Sequence, residues 1–139
     1  MSLWILDTDT FSLLQRQHPG VTAQALVRPT DSVTTSIVTV KEVFLGRYNK
    51  IKQAQQAEAL IAAYARLEDS MNLLRRMPIL SFDELAANHY VELRDAYRRL
   101  QRNDLQIAAI ALSHQAILVT RNLAHFGQIN DLPIEDWSK

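Results

Sequence analysis

Ile5-Leu6-Asp7-Thr8-Asp9-Thr10 decides how the rest of the chain is read. Residues 3–6 are a short apolar run, and Asp7 ends it. Such a run reads as a buried strand. The stretch 10–17 then reads as a helix, stopped by His18-Pro19-Gly20. A strand feeding a helix through a carboxylate is the opening of a layered α/β fold.

The same alternation continues outward. Residues 21–27 form a short helix, and Arg28-Pro29-Thr30-Asp31 is a turn. The β-branched stretch 32–37 reads as a second strand. Residues 39–50 and 52–71 are rich in alanine, glutamine and leucine and predict two long helices meeting near Tyr48-Asn49-Lys50. Pro78-Ile79-Leu80 is a third strand. Ser81-Phe82-Asp83-Glu84 has the form of a capping box, opening a helix to about residue 100. Asp104 begins a further helix whose Ile107, Ala108, Ile110, Ala111 and Leu112 predict deep burial. Residues 116–119 are another strand, and Leu132-Pro133-Ile134 a short edge strand. The expected architecture is α/β: a short, mainly parallel central sheet flanked by helices, one domain over residues 1–139.

Bulk composition narrows the function classes. At 139 residues the chain holds one core and no second. It is 47% hydrophobic and 22% charged, ordinary for a globular protein. With no cysteine, disulfides, thiolate metal sites and a cysteine nucleophile are excluded. Lys plus Arg and Asp plus Glu are 15 each, so a nucleic-acid partner would be held by a local patch or through metal ions. The opening stretch Met1 to Asp7 lacks a basic leader and a long apolar core, and no segment reaches membrane-span length. The expectation is a cytoplasmic protein.

Four stretches place an acid or amide at an element boundary: Leu6-Asp7-Thr8-Asp9, Thr39-Val40-Lys41-Glu42, Asn103-Asp104-Leu105 and Leu118-Val119-Thr120-Arg121-Asn122. Each has an ordinary explanation. Asp7 and Asp104 are good helix caps, Thr39 and Glu42 form a capping-box pair, and Asn122 suits a turn. A parallel sheet, however, returns every strand to one edge, where ligands bind. Carboxylates gathered there repel one another unless a cation sits among them, which points to Mg²⁺ or Mn²⁺. Asp9 either caps the helix or supports Asp7, and the Thr120 hydroxyl can bond a carboxylate, a phosphate or its own turn. Arg94, Arg98 and Arg102, with Arg99 beside them, predict a basic stripe on one helix; Arg47, Lys50 and Lys52 form a second candidate patch. Val43, Phe44, Leu45, Leu60, Ile61 and Tyr64 exceed what a thin sheet needs, so part of that surface is a candidate partner face.

The ordered set resembles the PIN-domain ribonucleases, specifically the VapC-type toxins of toxin–antitoxin pairs. Leu6-Asp7-Thr8-Asp9, Glu42 followed by Gly46-Arg47, Asn103-Asp104-Leu105-Gln106-Ile107-Ala108-Ala109, Leu118-Val119-Thr120-Arg121-Asn122, Phe126 and Glu135-Asp136-Trp137 carry the match. The resemblance implies that Asp7, Glu42 and Asp104 bind the metal, with Thr8, Asp9 and Thr120 supporting them. Asn122 stands where many relatives place a fourth acid and others an asparagine. His125 stands where relatives often have an acid before the phenylalanine. The resemblance further implies a homodimer, a Mg²⁺- or Mn²⁺-dependent endoribonuclease cutting an RNA substrate, and inhibition by a cognate antitoxin. Metal-assisted hydrolysis of that kind leaves a 5′-phosphate and a 3′-hydroxyl.

Two other readings compete. A non-catalytic member of the same fold would bind RNA or a partner without cutting, and Asn122 in place of an acid favours it. A haloacid-dehalogenase-type phosphatase would use Asp7 as nucleophile in Asp7-Thr8-Asp9-Thr10. That family needs a lysine and a late acidic pair after its second motif, yet Lys139 is the sole lysine after Thr120.

Overall fold

The computed structural model describes residues 2–139, so Met1 of the opening stretch lies outside it. Its centre is a sheet of five strands: β1 (Trp4–Leu6), β2 (Val33–Ser36), β3 (Ile79–Leu80), β4 (Ile117–Val119) and β5 (Ile134–Glu135). The spatial order is β3-β2-β1-β4-β5, and every pairing is parallel. The chain walks outward from β1 through β2 to β3, then returns to lay β4 on the other side of β1. The strand order therefore reverses between β1 and β4, the crevice where open parallel sheets bind ligands.

Register and side-chain alternation build the two apolar layers together. Ile5 pairs with Leu118, and both join the layer that holds Ile107, Ala108, Ile110 and Ala111. Their neighbours Leu6 and Val119 also pair, but point to the other layer with Leu13, Val21 and Trp137. Each fully buried aliphatic side chain stabilises the fold by about 1.5–3 kcal/mol. The buried hydroxyls of β2 are satisfied by its neighbour: Thr34 Oγ1 donates to the Trp4 carbonyl at 3.0 Å and Thr35 Oγ1 to that of Leu6 at 2.9 Å.

The helices are α1 (Thr8–Gln15), α2 (Pro19–Leu26), α3 (Ile37–Gln53), α4 (Ala57–Leu74), α5 (Glu84–Ala96), α6 (Arg102–Ser113) and α7 (Leu123–Phe126). The long helical region does break in two, but at 54–56 rather than near Tyr48-Asn49-Lys50. Ala54 turns extended there, with φ −73° and ψ 117°. The helix expected from Glu84 to about residue 100 stops at Ala96, because Tyr97 leaves helical geometry at φ −125°, ψ 63°. The Tyr97 hydroxyl accepts from the Asn130 N–H at 3.0 Å, which anchors the corner. Asp83 caps α5 instead of Ser81, taking the Ala86 N–H on Oδ1 at 3.0 Å.

These boundaries dissolve one predicted patch. Arg94 lies on α5, Arg98 and Arg99 lie in the following turn, and Arg102 opens α6, so no single helical stripe joins them. Arg47 leaves the second patch as well. Its Nε donates to Ser70 Oγ at 3.0 Å and its Nη2 to Gln15 Oε1 at 3.4 Å, tying α3 to α4 and α1.

Candidate active site

Asp7 is fixed by the strand that precedes it and the helix that follows. Its N–H donates to the Val119 carbonyl at 3.1 Å, holding the residue at the junction of β1 and β4. Its Oδ1 accepts from the Thr10 N–H at 2.8 Å, so it caps α1 as well. Capping and site membership coexist because a carboxylate has two oxygens. Burial pushes the Asp7 carboxyl above its ordinary 3.8, against the opposing pull of Thr120 and Thr10; the nearby Asp9 charge adds to the rise.

Glu42 proves free of the capping box expected for it. Ser36 is the cap of α3, its Oγ accepting from the Thr39 N–H at 3.1 Å, and the helix begins two residues before Thr39. Thr39 is instead buried within the helix, its hydroxyl 3.2 Å from that of Thr8. The Thr8 hydroxyl donates to Glu42 Oε1, and Asn103 Nδ2 donates to Oε2 at 3.1 Å. Lys41 Nζ donates in turn to Asn103 Oδ1 at 3.0 Å.

Asp104 does not cap α6 either. The helix starts at Arg102, which puts Asp104 in its first turn, where the helix dipole favours a negative charge. The buried Leu105, Ile107 and Ala108 behind it pin that turn against the sheet. Burial raises the Asp104 carboxyl, the Glu42 charge raises it further, and His125 opposes both. His125 Nδ1 lies 4.0 Å from Asp104 Oδ2 and 2.9 Å from Asn122 Nδ2. His125 therefore faces the acid of α6 and the amide of the β4 turn.

The end of β4 supplies the opposite wall. Thr120 is fully buried, and its Oγ1 accepts from the Asn122 N–H at 2.9 Å. Asp9 pairs with a residue that spacing alone does not single out: Arg121 Nε donates to Asp9 Oδ2 at 2.7 Å and Nη2 to Oδ1 at 3.1 Å. Asn103 and Arg121 are thus the two functional candidates missed at the level of individual residues. Each adjoins a chosen position, but neither has a spacing or capping signature of its own.

Asp7, Thr8, Asp9, Glu42, Asp104, Arg121 and Asn122 all line one cleft of about 660 Å³, with Ser12, Gln101, Ile107 and Phe126. Thr120 does not line it, but its side chain bonds the Asp7 carboxyl. Among the described residues, no three acidic or imidazole groups stand ready-made as a closed metal cage. The donor set still fits a hard divalent cation. It is all oxygen, two of its carboxyls are held above their ordinary range by burial and neighbouring negative charge, and Mg²⁺ keeps several waters that bridge to separated carboxylates. A second cavity, lined by His89, Glu92, Tyr97 and Asp131, reaches Ala116 and Pro133 at the opposite, amino-terminal edge of the strands and holds no such set.

Comparison with known proteins gives a consistent picture. The family model described as PIN domain matches residues 4–131. Ribonuclease VapC1 of Haemophilus influenzae strain R2866 is 30% identical over 143 aligned positions, spanning 99% of each chain. Among solved structures, VapBC-1 from nontypeable Haemophilus influenzae superposes with a TM-score of 0.77 at 26% identity, covering 99% of both chains. A DNA-bound VapBC from Salmonella typhimurium gives 0.79 at 25%, again with 99% of both covered.

Proposed function

Since the chain belongs to the PIN-domain family and is VapC-like over its whole length, we infer that it is a metal-dependent endoribonuclease, the toxin of a toxin–antitoxin pair. One observation carries the reading. Asp7, Glu42 and Asp104 come from three different elements, yet all line the cleft at the point where the strand order reverses.

Asp7, Glu42 and Asp104 would hold Mg²⁺ or Mn²⁺, directly or through water. When bound, the ion supplies positive charge to the scissile phosphate and lowers the pKa of an attacking water. Thr8 and Asn103 hold the two oxygens of Glu42, so the carboxylate is oriented before substrate arrives. The Thr10 N–H does the same for one oxygen of Asp7. Asn122, at the cleft wall, contributes an amide in place of a fourth charge. In-line hydrolysis then breaks the P–O3′ bond, leaving a 5′-phosphate on one product and a 3′-hydroxyl on the other.

Partner surfaces follow from the same fold. Leu45, Tyr48, Ile61 and Tyr64 remain exposed on α3 and α4. This apolar face suits a cognate antitoxin or the second subunit of a homodimer. No helix among the described residues is long and apolar enough to cross a membrane.

The binding-only reading draws on Asn122, whose side chain turns to His125. The phosphatase reading lacks its lysine, for none lines the cleft. RNA cleavage with Mg²⁺ or Mn²⁺, beside EDTA and Asp7→Asn, decides among them. Metal-dependent cuts with 5′-phosphate ends that vanish in the variant support the nuclease. A folded protein that binds RNA and cuts none supports the binding-only reading.

A further inference from the structure

A strand of RNA must enter a cleft walled by Asp7, Asp9, Glu42 and Asp104. Against these four carboxylates the lining holds a single Lys or Arg, Arg121. It stands at the carboxyl end of β4, directly before Asn122, and meets Asp9 in the first turn of α1. The pair is fork-to-fork, through Nε and Nη2.

This pair is built to come apart. Its side chains are 48% and 46% exposed, so water screens it and it contributes little to stability. Asp9 sits in the first turn of α1, where the helix dipole stabilises its charge whether or not the guanidinium is present. A guanidinium fork matches a phosphodiester as well as it matches a carboxylate. An arriving phosphate can therefore replace Asp9 at small cost. The negative charges of Asp9, Asp136 and Asp7 also keep Arg121 firmly protonated.

We propose that Arg121 grips a backbone phosphate of the bound RNA beside the cut, and that Asp9 parks the guanidinium across the cleft mouth when no strand is present. This rests on the nuclease reading above and assigns the substrate contact within that same site. Arg121 is here a substrate-positioning residue, and its effect falls on binding and register of the strand.

The test is fluorescence anisotropy of a short 5′-labelled single-stranded RNA, with Ca²⁺ replacing Mg²⁺, from about 50 to 200 mM salt. The unaltered chain, Arg121→Ala, Arg121→Lys and Asp9→Asn are compared, with cleavage kinetics in Mg²⁺ alongside. Arg121→Ala is expected to weaken binding about tenfold and to reduce the salt slope by about 0.7. Its KM rises while kcat holds. Arg121→Lys keeps the slope and loses part of the affinity, and Asp9→Asn binds RNA at least as tightly as the unaltered chain. Melting temperatures establish that each variant folds. An Arg121→Ala variant with unchanged slope and KM overturns the phosphate contact alone. Weakened binding by Asp9→Asn to the same degree as Arg121→Ala overturns it too, because the ion pair would then matter as built. An unaltered chain that neither binds nor cuts RNA overturns both this assignment and the nuclease reading.

Discussion

Asn103 donates from Nδ2 to Oε2 of Glu42 across 3.1 Å, and its own Oδ1 accepts from Lys41 at 3.0 Å. The residue just before Asp104 therefore fixes the carboxylate of α3 to the first turn of α6. Without it, Glu42 keeps only the Thr8 hydroxyl and can swing toward solvent. Asn103→Ala is expected to lower Mn²⁺ affinity and the cleavage rate about 10- to 100-fold. Asn103→Asp should cost more, since it adds a negative charge beside two others. Mn²⁺ titration calorimetry and single-turnover cleavage check both. Unchanged metal affinity in Asn103→Ala would remove the positioning role.

Asp7 and Asp104 should cost the apo protein stability as pH rises, and the sign follows from their raised carboxyls. Burial raises Asp7 and Asp104 above 3.8 in the folded chain. The folded state therefore holds protons that the unfolded state has released over the window just above that value. The stability these two groups contribute is greatest at or below the unfolded pKa and falls as pH climbs through the raised folded values. Asp7→Asn keeps the cap, because asparagine caps as well as aspartate, and removes the buried charge. Urea denaturation in EDTA from about pH 4 to pH 7 should show a flatter profile and a more stable protein at neutral pH for the variant. Equal pH profiles would refute the account.

The sheet and helix order were legible because short apolar runs and β-branched stretches alternate with alanine-rich ones. The break at 54–56 was not. Gln53-Ala54-Gln55-Gln56 carries no glycine or proline, and local propensity favours continuing the helix. The reversal is imposed by α3 and α4 packing against each other, with Arg47, Ser70 and Gln15 as the cross-tie. The same limit applies at the site. Asp7 and Asp104 were visible as acids at element boundaries. Arg121 and Asn103 act through partners 112 and 61 residues away, which no local pattern reports.

Divalent metal should stabilise the protein only where the acids can receive it. A ligand that binds the folded state alone adds about 2.7 kcal/mol at a hundredfold excess over its dissociation constant. Mg²⁺ or Mn²⁺ is thus expected to raise the melting temperature of the unaltered chain. The Asp7→Asn/Asp104→Asn double variant should start higher in EDTA and gain little from either ion. Scanning calorimetry with and without metal measures both shifts. An equal gain by the double variant would place metal binding elsewhere.

Arg47 belongs to the fold and not to the RNA surface. Burial holds its pKa below the usual arginine range, with Arg66 and Arg16 adding to the fall, and its donors go to Ser70 and Gln15. Ser70 Oγ also donates to Gln15 Oε1 at 2.7 Å, so one cluster closes three helices. Arg47→Ala leaves Ser70, itself fully buried, with one partner fewer. The expected loss is about 1–3 kcal/mol of stability. KM for RNA should be unchanged at temperatures where the variant is folded. A raised KM with full stability would return Arg47 to the substrate surface.

Arg28 makes the carboxyl-terminal strand part of the fold. Its guanidinium lies 4.7 Å from the ring centre of Trp4 and 4.4 Å from that of Trp137, sandwiched between them. Nη1 donates to the Gln24 carbonyl at 2.6 Å, and Nη2 reaches Glu135 Oε1 at 3.5 Å. Glu135 also accepts from the Trp137 indole N–H at 2.9 Å, closing a loop around β5. The partly desolvated stack is worth about 2 kcal/mol. Since Trp4 and Trp137 are the chain's two tryptophans, selectively excited tryptophan emission reads this clamp. Arg28→Ala is expected to shift emission to the red, to expose the β5 amides to hydrogen exchange and to lower stability by about that amount. Arg28→Lys should recover only part, because an ammonium cannot stack on two rings as a planar guanidinium does. A loosened β5 also frees the Thr120 N–H, which bonds the Glu135 carbonyl at 2.9 Å. Cleavage should therefore fall along with protection of β5, although Arg28 does not line the cleft. Full protection of β5 in Arg28→Ala would show that the sheet pairing alone holds the strand.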